Sequence, residues 1–417
     1  MMRLIVFISA LFLSGYVTAQ DYDLLLKGGH VIDPKNRINR VIDVAIKDGK
    51  IAAVAPKIDA KKAAEVVDVS GLYVMPGLID IHGHVFAGTA AFGALSNGFS
   101  SLSPDGFTFR VGVTTIVDAG GPGGKEFLVF KRNIIDRSRT RVLSFLNISR
   151  AGMYGDEYSD EQQNVNYMDP KVAAEMALQH KEHIVGFKVA HFHKPDFVAV
   201  DRVVEAGKLA GLPVMIDFGG SKPRLSLEEL LMRKLRPGDI FTHTYGELLE
   251  TKESIVDVET KTLKPYVLAA RERGIIFDVG HGGGSFRYTQ ALPATKAGLF
   301  PHTISTDLHT GSMNGAMKDM LNVMSKFLAL GMPLEDVIQA STWKPAQVIN
   351  RTELGHLSVG AIADVTVLNL RKGKFGFFDV NRDKMVGTQK LECELTLKDG
   401  KPVYDTNGIM IPTALTK

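Results

Sequence analysis

From residue 76 to about residue 350 the chain repeats one texture, a short apolar run followed by an amphipathic stretch. That alternation is what a parallel sheet of βα units requires. The predicted strands are 79–84, 114–118, 141–148, 184–190, 213–218, 240–243, 275–279 and 303–305. Helices are expected at 171–183, 197–210 and 226–235, the first with Asp169 as cap and Pro170 at the position where a missing N–H costs nothing. Eight strands over about 270 residues match an α/β chain closed as a (β/α)8 barrel, whose reactive groups sit at the C-terminal strand ends. An open doubly wound sheet is the alternative, but no GxGxxG turn supports it.

The two ends of the chain read differently. Strands are expected at 23–27, 41–47, 50–55, 363–369 and 391–397, and the tetrapeptide Lys47-Asp48-Gly49-Lys50 returns as Lys398-Asp399-Gly400-Lys401. Asp-Gly at both places is the signal of a tight hairpin. Before them, Arg3, the apolar run 4–13 and the Val17-Thr18-Ala19 triplet form the pattern of an export signal cleaved after Ala19. The run is too short to span a bilayer. An exported chain, periplasmic or secreted and free of the membrane after cleavage, is therefore expected. With Cys393 as its sole cysteine it has no intrachain disulfide.

Charge narrows the partners. Lys and Arg number 49 against 46 Asp and Glu, and no basic block stands out, so nucleic acid is not expected. Phe375, Phe377 and Phe378 beside Lys372 and Lys374 are read as packing in the terminal β-structure rather than as a base-stacking surface. Gly282-Gly283-Gly284 lacks the lysine of a phosphate loop and is read as backbone bending around a site.

The chemistry is carried by polar residues at strand ends. His82 and His84 are two apart, a spacing that brings both to one face of a strand and lets them grip one cation. Alone, such a pair is more often two ordinary histidines. Lys188 interrupts an apolar strand, where its charge needs either an ion-pair partner or conversion to a carbamate. His243 and Asp307 end further strands, and His281 follows another. A barrel would bring His82, His84, Lys188, His243 and Asp307 to one mouth.

At this point the chain closely resembles the amidohydrolase superfamily, within it the dihydroorotase-like and deacetylase-like bacterial members. The resemblance covers nearly all of the mature chain. It rests on PGLIDIHGH (76–84), GVTTIVDAG (112–120), GFKVA (186–190), DIFTHTYG (239–246), DVGHGGGSF (278–286), ISTDLH (304–309) and GAIADVTVL (360–368). It implies a (β/α)8 barrel over 76–350 and a small β-sandwich built jointly from 20–75 and 351–417, with 1–19 as the signal peptide.

The resemblance also implies a divalent metal, zinc by expectation, as one or two ions held by His82, His84, Lys188, Asp217, His243 and Asp307. Lys188 would bear a CO2-derived carbamate. Asp217 stands where the family usually has histidine, which adds negative charge to the second position, and His191 and His193 are candidates to compensate. The reaction implied is hydrolysis of an acyl amide or ester by metal-activated water, with Asp307 as the catalytic proton carrier. His281 and Arg287 are expected to contact a small acyl substrate, Arg287 through its carboxylate. Opening of a cyclic amide or lactone and a non-catalytic metal-binding barrel are the alternatives. The segment 86–110 is the expected lid, and a homo-oligomer is left open.

Overall fold

The computed structural model describes residues 20–87, 100–153 and 163–411. The expected export segment 1–19 and residues 88–99 of the expected lid lie outside them.

Seven parallel strands form one sheet in chain order: Leu78–Gly83, Val113–Gly123, Arg141–Asn147, Ile184–Val189, Val214–Ile216, Ile240–Phe241 and Ile276–Phe277. The eighth predicted strand, 303–305, is not regular strand. It joins the ring through single parallel bridges, Asp278 to Thr303 on one side and Gly83 to Leu308 on the other. Gly282 N donates to Thr306 O at 2.9 Å and His84 N to Leu308 O at 2.8 Å, so backbone pairing continues around the circle. The ladder stays short because the chain turns left-handed at Asp307 (φ 52°), between the bridging residues Thr303 and Leu308.

Side-chain alternation divides the barrel core in two. Ile79, Ile81, Val117, Leu143, Phe145, Val185, Met215, Ile240 and Ile276 pack together inside the ring, closed by Ala346, Ile349 and Leu354. Ile116, Leu146, Phe187, Val214, Phe241 and Phe277 belong to the separate outer core beneath the helices. Period-two strands buried on both faces have this property, and it leaves one end of the ring for packing and the other for a site.

The helices follow the sequence signals with shorter bounds. Pro170–Gln179 starts at Asp169, whose carboxylate accepts from Lys171 N and Val172 N, and Val198–Ala210 ends on left-handed Gly211. The predicted helix 226–235 is only one α turn, Leu227–Glu229, because a wider π turn, Leu230–Lys234, follows it.

Both chain ends build the second unit. A four-stranded sheet (Lys50–Ala55, Asp43–Lys47, Tyr22–Lys27, Ala63–Asp68) and a six-stranded sheet (Lys401–Asp405, Lys384–Lys398, Val365–Phe378, Tyr73–Pro76, His30–Asp33, Ile38–Val41) face one core. Leu24, Val44 and Val67 from the first meet Val31, Val74, Val365 and Leu395 from the second. The two Asp-Gly turns take positive φ at both central residues and abut, so a Cβ on Gly49 would stand 2.9 Å from Asp399 O.

The long hairpin Val365–Phe378 with Lys384–Lys398 outruns the sandwich and lies on the barrel helix Met320–Ala329, where Leu391 N donates to Ser325 Oγ at 3.0 Å. Phe375 and Phe378, expected in the sandwich core, are instead only partly buried along this arm, and Phe377 alone is buried there. The strand is simply longer than the sheet it was assigned to. Among the described residues no helix is long and apolar enough to cross a membrane.

Candidate metal centre

A cavity of about 610 Å³ opens at the C-terminal ends of the barrel strands, and His82, His84, Lys188, Asp217, His243 and Asp307 all line it. The side-chain ligand atoms of His82, His243 and Asp307 lie within 4.8 Å of one another, and all three residues are buried. His84 Nε2 is 2.9 Å from Asp307 Oδ1, and His82 Nε2 is 3.5 Å from the same oxygen. Asp217 Oδ2 stands 3.5 Å from His243 Nε2 and 3.4 Å from His191 Nε2. Six residues from five distant segments are thus gathered at one mouth.

Local backbone explains how. His243 (φ 53°) and Asp307 (φ 52°) both sit in the left-handed region, which is costly for residues with side chains and ends each strand at the cavity rim. Gly282 (φ 54°) lies against Asp307, and a Cβ there would overlap Asp307 Oδ2. Gly282→Ala is accordingly expected to lower kcat by about 100-fold through a displaced carboxylate. Steady-state kinetics beside a circular dichroism melt checks this, and a variant with unchanged kcat would separate the loop from Asp307.

Hydrogen bonding fixes the imidazole tautomers. Thr242 Oγ1 gives its only proton to Asp278 Oδ2 at 2.7 Å, so at 2.9 Å from His82 Nδ1 it can only accept. His82 therefore carries its proton on Nδ1 and presents a bare Nε2 to the cavity. His243 Nδ1 donates to Gly280 O at 2.6 Å, leaving its Nε2 bare as well. Two histidines locked with unprotonated Nε2 atoms beside a carboxylate are the donor set of a borderline divalent cation. The residues present fit such an ion.

Electrostatics agrees with that preparation at His82, whereas at His243 burial would lower the pKa but Asp217 outweighs it and raises it. Burial, reinforced by the Lys188 charge, keeps His82 neutral with its pKa pushed down to about 3. Burial alone would raise Asp307, but His82, the His84 hydrogen bond and His243 outweigh it and hold the carboxyl well below its ordinary value. Asp217 behaves likewise, burial being overcome by His243, then by His191 and Lys188. Lys188 is buried with Nζ 3.1 Å from His82 Nε2 and 3.5 Å from Met215 Sδ, and burial lowers its pKa against the pull of Asp217, Asp307 and Asp278.

Two expected substrate contacts are corrected. His281 does not line the cavity: it is fully buried, stacked on Phe286 at 4.6 Å, with Nε2 receiving Lys326 Nζ at 2.7 Å and Nδ1 against Gly282 O. Its position after a strand was read as a rim position, but the tight Gly280-to-Gly284 turn tucks the ring behind the site. Arg287 lies outside the cavity lining as well, its Nη1 3.4 Å from Glu247 Oε1 and its backbone leading into the helix Tyr288–Lys296.

Other lining residues were not foreseen. Lys252 and His309 line the cavity, and Thr242, Asp278 and Ser305 form the buried hydroxyl and carboxylate network behind His82. Thr242, Asp278, Ser305 and His309 all lie inside quoted motifs, so a signal existed. Lys252, in the charged run Glu250-Thr251-Lys252-Glu253, reads as solvated loop and gave none.

Comparison with known proteins follows the same lines. A family model described as the Amidohydrolase family matches residues 288–403. A deacetylase of Brucella anthropi is 34% identical over 343 residues, 81% of each chain. A deacetylase of Enterococcus faecalis is 28% identical over 394 residues, covering 92% of this chain and 100% of that one. Among solved structures, a dihydroorotase superposes with a TM-score of 0.78 at 30% identity over 92% of this chain and 99% of its own.

Proposed function

This chain belongs to the amidohydrolase superfamily, as a hydrolase acting on carbon–nitrogen bonds, and we propose that it removes an acyl group from a small molecule by amide or ester hydrolysis. The observation that carries the reading is the buried His82, His243 and Asp307 cluster at the floor of the cavity, with both imidazoles locked to present Nε2. The lengthwise similarity to proteins named deacetylase supports an acyl substrate, since curated dihydroorotases align over only 15 to 33% of this chain. Opening of a cyclic amide is the second reading, favoured by the solved dihydroorotase.

In this proposal His82, His84 and Asp307 would hold one zinc ion, and Asp217, His243 and a carbamate on Lys188 would hold a second. The carbamate forms when the neutral lysine amine adds CO2 and releases a proton, and burial of Lys188 favours that neutral amine. When bound, the cation polarises a carbonyl and makes water acidic enough to ionise near neutral pH. Asp307 takes the proton of the attacking water at its carboxylate and returns it to the departing nitrogen or oxygen. The deep strand-end position removes that carboxylate from bulk water.

The test combines elemental analysis of the purified chain with a hydrolysis screen of N-acyl amino acids, acyl esters, lactones and hydantoins before and after chelation. Acyl release that is lost with chelator and restored by zinc is expected. Turnover of lactones or hydantoins alone selects the second reading, and no turnover with metal bound leaves a non-catalytic barrel. Asp217→His examines the departure from the family pattern: the variant is expected to retain the second zinc at lower free metal. Unchanged metal content and activity would remove Asp217 from the ligand set.

A further inference from the structure

We infer that Lys252 anchors an anionic group of the substrate, so that the acyl compound hydrolysed here carries a carboxylate close to its scissile bond. The inference rests on the deacylase reading above. Lys252 is 2% exposed yet lines the cavity, and its Nζ donates to His243 O at 2.7 Å, the backbone of a residue at the centre itself. An ammonium has three protons to donate. Among the described residues Lys252 has that one acceptor, the face of Phe241 at 5.2 Å, and no ion pair with a carboxylate.

The other deeply buried lysines away from the centre show what is missing. Lys326 spends its protons on His281 Nε2, Ala316 O and Phe378 O, and Lys398 pairs with Asp364 and Asp399. A buried charge without such partners is costly, and here the cavity borders it. Gly246 also lines the cavity, and a Cβ there would stand 3.3 Å from Lys252 Nζ, so the absent side chain leaves the ammonium open to a ligand. Arg287, the cation expected for this task, is engaged by Glu247 outside the cavity lining. An N-acyl amino acid presents its carboxylate a few bonds from the acyl carbonyl, and Lys252 and Asp307 line the same cavity.

The experiment follows acetate release by the zinc-loaded full chain from N-acetyl amino acids and from their neutral carboxamides, in wild type and Lys252→Met, with zinc content measured in both. Wild type is expected to prefer the acids by about 10- to 100-fold in kcat/KM, chiefly through KM, and the variant to keep zinc while that preference shrinks to within about threefold. Equal use of acid and carboxamide by wild type overturns the inference. So does an equal loss on both substrates in the variant, the mark of mere support for His243. Should wild type hydrolyse neither, the deacylase reading fails, and calorimetry with 3-phenylpropanoate against 3-phenylpropanol decides Lys252 separately. Selective loss of acid binding in Lys252→Met then upholds the anchor, and unchanged acid binding refutes it.

Discussion

Asp307→Asn is expected to lower kcat by about three to four orders of magnitude while the circular dichroism spectrum and melting profile stay close to wild type. The amide keeps the shape of the carboxylate and one acceptor oxygen, but it cannot take up a proton at neutral pH. Every other role of the position is only weakened: Asn still fits beneath Gly282, still leaves the left-handed turn in place, and still offers an oxygen to His84 Nε2, now 2.9 Å from Asp307 Oδ1. Elemental analysis alongside the kinetics separates a lost proton carrier from a lost ligand. Undiminished turnover with metal retained would sink Asp307 as the proton carrier.

The second large effect is expected from a residue outside the cavity lining. Asp278 is completely buried and accepts Thr303 Oγ1 at 2.5 Å, Thr242 Oγ1 at 2.7 Å and Ser305 Oγ at 2.8 Å, with His82 Nδ1 at 3.6 Å. Asp278→Ala takes the acceptor from three buried hydroxyls, and a stability loss of about 3–5 kcal/mol is expected from denaturant unfolding. With Asp278 gone, the Thr242 hydroxyl is free to donate to His82 Nδ1, so His82 loses its fixed tautomer, and zinc affinity is expected to fall by about 10- to 100-fold.

The sign with pH follows from the direction of the shift. Burial would raise the Asp278 pKa, but His82 and the hydroxyl donors outweigh it and lower it below the ordinary 3.8. Its contribution is therefore full above that value and is lost as pH falls through the lower folded one. The stability gap between wild type and variant should hold steady near neutrality and narrow below about pH 3.8. A gap that widened on acidification would show that Asp278 is buried neutral.

Much of this molecule was legible in one dimension, for a physical reason that differs from feature to feature. Strand period, helix caps and Asp-Gly turns are local: Asp169 caps its helix and Gly49 and Gly400 turn their hairpins using only neighbouring residues. Strand ends are local too, so His82, Lys188, His243 and Asp307 could be nominated as a set once a parallel barrel was inferred. The eighth strand was located but overestimated, because its geometry depends on closure against residues more than two hundred positions away.

Direction of side chains across the mouth was beyond the sequence. His281 and His243 each follow an apolar strand, yet one is held behind the site by Lys326 from a distant helix and the other faces the cavity, its Nδ1 tied to Gly280 O. Arg287 loses its expected role and Lys252 gains one because Glu247 pairs with the first, while among the described residues the second has no ion pair with a carboxylate. The sequence by itself determined the repeating βα frame, the hairpin-rich ends and the kinds of donor atoms available for a cation. Only the tertiary structure decided which nitrogens are bare, which cations are already paired and which lysine is left for a ligand, because those properties belong to contacts between segments that the chain brings together on folding.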